Sequence, residues 1–207
     1  MKVLYIDTSS SYLYTAIAED DNLLAEIKEE YGQSLSEVAL PRIVSMFLKS
    51  GLQAKEIDKI IVVNGPGSFT GIRIGLTIAK VYAWTLNIPI TTIYSLEAMA
   101  LSSKKDTVHV PVINARRGYV FGAIYDKDNK VLLKPQHIKI EELKKELNVY
   151  RTYEIITNDD LKEFEKKSSY NPDMLKIINH FKDKKEINPH AVNPEYLKLT
   201  EAEENQL

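Results

Sequence analysis

The chain predicts an α/β protein with two mixed sheets, on three observations. Short β-rich runs alternate with stretches of helical apolar spacing, the same element order occurs twice, and a polar break falls near the middle of 207 residues. The order in each half is strand, strand, strand, helix, strand, helix. Twice β-β-β-α-β-α is the plan of the actin-like ATPase folds, in which two ribonuclease-H-like domains enclose a nucleotide cleft. The expected domains are 1–103 and 104–207, with residues from about 190 onward able to return to the first domain. No sequence repeat accompanies the repeated order, so it predicts fold and carries no function by itself.

The first three strands are expected at residues 2–8 (Lys-Val-Leu-Tyr-Ile-Asp-Thr), 11–18 and 23–28, separated by short polar turns. A helix follows over about 34–50, where Leu35, Val38, Ala39, Ile43, Met46 and Phe47 recur at helical spacing and Gly51 stands at the C-terminal cap position. Pro41 should kink or restart it, because proline removes a helical hydrogen bond. Ile60-Ile61-Val62-Val63 reads as a short buried strand, and residues 88–94 as another. A small helix at 96–101 closes the first half before the polar run 102–106. The second half places strands at 108–114, 119–126 and 130–134, then a helix at 141–147 and a strand near 153–157. Helices around 159–167 and 172–184 complete it.

Residues 65–86 are the most informative stretch. Pro66-Gly67 sets a turn, since proline restricts φ and glycine accepts a positive one. Ser68 or Thr70 can then cap a helix beginning near Gly71. Arg73, Thr77 and Lys80 form its one narrow polar stripe, and Gly71, Gly75, Ala79 and Ala83 make a low ridge that a second backbone could approach closely. An ordinary surface helix needs an apolar arc of about 100°. This helix exceeds it, so a second cover is expected, with another protein as one candidate.

Composition narrows the classes. With 44% hydrophobic and 27% charged residues, the chain matches an ordinary globular protein. It has no cysteine, which removes disulfides and thiolate metal sites and fits a reducing cytoplasm. No leader is expected before the first strand, and the apolar helix is shorter than the roughly 20 residues that span a bilayer. Lysine plus arginine against aspartate plus glutamate is 8 to 11 through residue 103 and 19 to 18 beyond it. Neither half is a basic module, so the isolated chain should bind nucleic acid poorly.

Candidate chemistry is sparse. Asp7-Thr8-Ser9 ends the first strand, where actin-like ATPases carry an acid and a glycine-containing phosphate loop. Asp7 and Ser9 are therefore cleft candidates, against the alternative of a turn that satisfies its own backbone. Residues 65–71 are not a Walker loop, because Gly71 is followed by Ile72-Arg73 and not Lys-Ser/Thr. Beyond Gly122 there is no glycine from which to build nucleotide-binding turns. His109, His137, His180 and His190 are scattered without metal-ligand spacing, and no nucleophile elbow is present. Asn114-Ala115-Arg116-Arg117-Gly118 could aim Arg116 at a phosphate or carboxylate, or form a solvated hairpin. No catalytic residue and no metal ligand is assigned.

Asp7-Thr8-Ser9, the run from Gly65 to Gly75, residues 114–118 and Pro194-Glu195-Tyr196-Leu197 together resemble the TsaB (YeaZ) family, and the similarity extends across the chain. Gln33-Ser34 departs from the His-Ser common there. The resemblance implies an actin-like fold with a degenerate nucleotide site and a non-catalytic role in tRNA threonylcarbamoyladenosine synthesis. It implies pairing with a catalytic TsaD paralogue that carries ATP and a metal ion, with no cofactor on this chain alone. A TsaE-type ATPase, tRNA reached through the complex, and a homodimer of the free protein are further implied partners. The pairing surface corresponds to the helices at 34–50 and 71–86, with Leu35, Val38, Ala39, Gly71, Ile72, Gly75, Leu76, Ala79 and Ala83 as its expected residues. The competing expectations are an autonomous actin-like kinase or ATPase and, more weakly, a glycoprotease-like metallopeptidase.

Overall fold

The computed structural model describes residues 1–198. They divide into two compact units: Met1–Ser95 with Pro172–Glu195, and Leu96–Asn171 with residues 196–198.

The first unit contains β1 (Lys2–Asp7), β2 (Tyr12–Glu19), β3 (Asn22–Glu30), α1 (Leu35–Ser50), β4 (Lys59–Gly65), α2 (Phe69–Leu86) and β5 (Ile90–Tyr94). Its sheet runs β3-β2-β1-β4-β5; β1, β2 and β3 are antiparallel hairpin neighbours, while β4 and β5 continue parallel to β1. Leu4, Tyr5 and Ile6 on β1 and Ile60 to Val63 on β4 are all buried. Alternation disappears in these strands because both faces of the sheet centre are covered. α1 packs on β2, β3 and α2, and α2 packs on β1, β4 and β5. Phe47 and Tyr82 stack between the two helices at 6.0 Å, and the Tyr82 hydroxyl donates to the Ala54 carbonyl at 2.6 Å.

The expected interruption at Pro41 does not occur, and α1 runs unbroken from Leu35 to Ser50. Proline forfeits one bond, to the Glu37 carbonyl, and both residues lie on the exposed side where water can serve that oxygen. Gly51 ends the helix at φ 72°, as its position predicts. α2 begins at Phe69, two residues before Gly71, with the Ser68 hydroxyl accepting from the Gly71 N–H at 3.2 Å.

The second unit contains α3 (Ser95–Leu101), β6 (Val108–Arg116), β7 (Tyr119–Tyr125), β8 (Val131–Lys139), α4 (Ile140–Leu147), β9 (Tyr153–Ile156) and β10 (Lys167–Ser168). Its order, β10-β9-β6-β7-β8, repeats the first sheet in both sequence and direction. Each unit is thus the ribonuclease-H-like sheet that the element order predicts.

Three expectations about the second half change. Residues 159–166 form no helix: Leu161 and Phe164 are drawn into the core beside Val110, Ile124 and Leu143, and the chain then pairs as β10. The break between units falls before residue 103, because Leu96, Met99 and Ala100 of α3 bury against Ala123, Tyr125 and Ile156. The segment expected as the last helix of the second domain, α5 (Met174–Phe181), belongs to the first unit. Its buried face of Met174, Ile177, Ile178 and Phe181 packs on β1 and β2. Beyond it Ile187 bridges to Ile90, and the Glu195 N–H donates to the Asn64 carbonyl at 2.8 Å. The return to the first unit therefore starts at residue 172 and not near 190; residues 199–207 of the expected returning segment lie outside the described residues. Among the described residues no helix is long and apolar enough to cross a membrane.

Candidate functional site

The glycine-rich turn is packed solid against its own unit. The Ser68 N–H donates to the Ser9 carbonyl at 2.7 Å, and the Thr8 hydroxyl donates to the Gly71 carbonyl at 2.7 Å. A Cβ at Gly67 would fall on the Ser9 carbonyl oxygen, and one at Gly71 on that of Thr8. A Cβ at Gly65 would meet the Glu195 carbonyl oxygen. Gly65 and Gly67 also hold positive φ, at 121° and 152°, beside a cis Gly65–Pro66 peptide. The glycines are demanded by the close approach of neighbouring backbone.

Of the cleft candidates, Asp7 and Ser9 come together and Arg116 lies in the other unit. The Asp7 carboxylate is buried and accepts from the Ser9 N–H at 2.9 Å and the Ser9 hydroxyl at 2.7 Å, with Tyr5 Oη at 3.4 Å. Burial raises its proton affinity above the usual carboxylate range, against the lowering effect of those bonds. Asp7 thus closes a local turn, the plainer of the two sequence readings.

Arg116 and Arg117 sit at the exposed tip of the β6–β7 hairpin with φ of 66° and 52°, and Gly118 follows at 78°. Left-handed backbone costs a residue with a Cβ about 1–2 kcal/mol. The Asn114 carboxamide oxygen accepts the Arg116 N–H at 2.8 Å, and Asp159 accepts the Asn114 N–H at 2.6 Å, so the tip is held from below. This is the hairpin alternative of the sequence reading, with both guanidinium groups presented to solvent.

The expected interface residues require correction. Gly71, Ile72, Gly75, Leu76, Ala79 and Ala83 are all buried in the chain's own core, as are Leu35 and Ala39, while Val38 is half-buried. The small-residue ridge does receive a close approach, but from the end of β1 and the residue after it: a Cβ at Gly75 would strike Thr8 Oγ1, with Ile6 the next nearest residue. The surplus apolar surface lies on the other side of the same helices. On α1, Leu40, Val44 and Leu48 form an exposed row at four-residue spacing, Leu48 being 80% exposed. On α2, Phe69, Val81 and Trp84 are exposed, Trp84 at 66%, and Ile74 and Ile78 are half-buried on the same arc. Arg73 lies over the Phe69 ring at 3.7 Å, and Lys80 donates to the Val192 carbonyl at 2.9 Å. The polar stripe is thus partly an internal clamp.

Sequence reasoning missed Leu40, Val44 and Leu48, although the signal was present. α1 carries one apolar stripe through Leu35, Ala39, Ile43 and Met46 and a second, separate one through 40, 44 and 48. It also missed Lys59, a buried lysine whose ammonium donates to the Lys182 and Lys184 carbonyls at 2.7 and 2.8 Å. Among the described residues no three His, Cys, Asp or Glu side chains gather as metal ligands.

The family model for TsaD, the tRNA N6-adenosine threonylcarbamoyltransferase, matches residues 24–183. The tRNA threonylcarbamoyladenosine biosynthesis protein TsaB of Bacillus subtilis is 30% identical over 98% of this chain and 96% of its own length. Its Escherichia coli counterpart is 29% identical over 69% of this chain and 68% of its own. Among solved structures, YeaZ from Pseudomonas aeruginosa matches 95% of this chain and 99% of its own with a TM-score of 0.74 at 17% identity. A second Pseudomonas aeruginosa structure, of a protein similar to the peptidase YEAZ, reaches 0.82 at 16% over the same shares. Those two structures share the fold, and the full-length match to TsaB extends it to sequence. This chain belongs to the TsaB (YeaZ) family of tRNA threonylcarbamoyladenosine biosynthesis proteins.

Proposed function

We propose that the chain is a non-catalytic, cytoplasmic scaffold or activator subunit that pairs with a TsaD-like catalytic paralogue through the outer faces of α1 and α2. In that assembly it would support transfer of the threonylcarbamoyl group to N6 of adenosine 37 in tRNAs reading ANN codons. The observation that carries the reading is the exposed apolar pair of helix faces, Leu40, Val44 and Leu48 on α1 with Phe69, Val81 and Trp84 on α2. A surface of this kind marks an interaction site, and burying each such leucine or valine contributes about 1.5–3 kcal/mol. The packed turn at 65–71 and the internally bonded Asp7 support placing ATP and metal on the partner. The free protein would use the same faces to form a homodimer, and a TsaE-like ATPase would join the pair.

The test is association and reconstitution together. Light scattering should give a dimer alone and a 1:1 complex with the paralogue, and Leu48→Glu with Val81→Glu should abolish both. Modification of adenosine 37 by the paralogue should require this chain and fail with the double variant. Turnover of Mg-ATP by the isolated chain, or full modification without it, would overturn the reading.

A further inference from the structure

The second unit carries a surface that the helix pairing leaves unused. Where β7 and β8 meet the β6–β7 hairpin, Tyr119 stacks on His137 at 4.6 Å with ring planes 9° apart, and Phe121 tilts against the same imidazole at 5.5 Å. Tyr119 stands opposite Lys139 and Phe121 opposite His137 in the β7–β8 register, so all four side chains leave one face of the sheet. None of the four is buried; Phe121 anchors the column by packing partly against the cluster of Leu96, Met99 and Ala100, while the intervening Val120 and Ile138 turn to the core beneath α4. The Lys139 ammonium lies over the Tyr119 ring at 5.9 Å. Beside this column the hairpin tip projects Arg116 and Arg117. Neither guanidinium makes an ion pair or hydrogen bond among the described residues.

Three cations around a short column of stackable rings is the chemistry of single-stranded nucleic acid. Flat side chains receive unpaired bases and the cations follow the phosphates. A carboxylate-rich protein surface would match the arginines but not the ring column, which offers π faces where such a surface has charge. The Asp159 carboxylate accepts the Asn114 N–H and so holds the base of the hairpin.

We propose that the β6–β7 hairpin with Tyr119, His137 and Lys139 is an RNA contact of this chain, taking unpaired nucleotides of the tRNA substrate. A base extends the column at Tyr119, and the flanking phosphates lie at Arg116, Arg117 and Lys139. The proposal rests on the tRNA-modification reading for its ligand, but not on the helix pairing. Three cations give modest affinity, consistent with a chain whose overall balance is −2. The contact therefore orients an RNA that the assembly as a whole retains.

Fluorescence anisotropy with labelled tRNA, at about 25 mM and about 150 mM salt, tests it on the full chain alone and on its mixture with the paralogue. The chain alone should bind at low salt. Arg116→Ala with Arg117→Ala should weaken binding about tenfold or more, and lower the slope of log K against log salt by about 1.4 for two single-strand phosphates. Tyr119→Ala should weaken binding by a similar factor with the slope unchanged, as stacking is not ionic. Circular dichroism melting of each variant confirms the fold is intact. Unchanged tRNA affinity in both preparations overturns the proposal. So does loss of association with the paralogue while the chain alone still binds tRNA normally, which would make the hairpin a protein contact. Failure of the paralogue to associate at all with the wild-type chain counts against the pairing reading, and the RNA contact is then decided by the chain alone.

Discussion

Gly75 and Thr8 are packed so closely that a Cβ on the glycine would fall on the threonine Oγ1. The ridge Gly71-Gly75-Ala79-Ala83 is thereby committed to the interior of its own unit. Gly75→Ala should destabilise the protein by about 1–3 kcal/mol through overpacking, measured by urea denaturation. Thr8→Ala combined with Gly75→Ala should recover part of that loss, since the obstructing atom is a side-chain oxygen. Gly71→Ala meets the Thr8 carbonyl instead, so the same second change should not rescue it. Equal rescue at both sites would disprove this packing.

Substitutions on the outer faces should behave in the opposite way. Leu48→Glu and Val81→Glu remove exposed apolar groups, so the monomer's stability should move by no more than about 0.5 kcal/mol. Association should nevertheless be lost in sedimentation velocity runs. A large fall in stability measured at concentrations too low for dimers would show that these side chains serve the fold.

Asp7 gives a pH prediction with a definite sign. Burial raises its folded-state proton affinity, so the folded chain holds this proton to higher pH than the unfolded chain. Stability contributed at this site is greatest below the ordinary carboxylate range and falls as pH rises through the raised value. Asn at this position keeps an acceptor for the Ser9 N–H and hydroxyl without a charge. Asp7→Asn should therefore be the more stable protein at neutral pH, and its advantage should shrink as pH falls toward the carboxylate range. Chemical denaturation across that interval checks it; a variant less stable than wild type at neutral pH contradicts it.

Lys59→Met removes the ammonium that serves the Lys182 and Lys184 carbonyls just beyond α5. Two part-buried acceptors lose their partner, at about 1–3 kcal/mol each where water cannot replace it. Hydrogen exchange should show α5 opening more often than β1 and β4 in the variant. Uniform protection across all three would mean the lysine acts on the whole unit and not on the returning segment.

Much of the fold was legible because periodicity and punctuation agree in the first half. Leu35, Ala39, Ile43 and Met46 mark a helix face, Gly51 its end, and Ser68 the next beginning. The second half was less legible for a physical reason. Residues 159–167 have helix-compatible composition, but Leu161 and Phe164 are needed by a core assembled from distant strands, and that burial outweighs local propensity. Likewise, nothing local to α5 announces that its apolar face will be buried on β1 and β2.

The sequence alone determined the doubled α/β order, the family, and the fact that α2 carries more apolar surface than one sheet can cover. Only the tertiary structure decided which side of each helix is surplus. A helical pattern gives the faces but not their assignment, because burial depends on which neighbour arrives. Here Thr8 and Ile6 claim the small-residue ridge of α2, leaving Val81 and Trp84 on its other side exposed. The same holds for the glycines at 65–71. Their presence is local, but the Thr8, Ser9 and Glu195 carbonyls that require them come from chain far away in sequence.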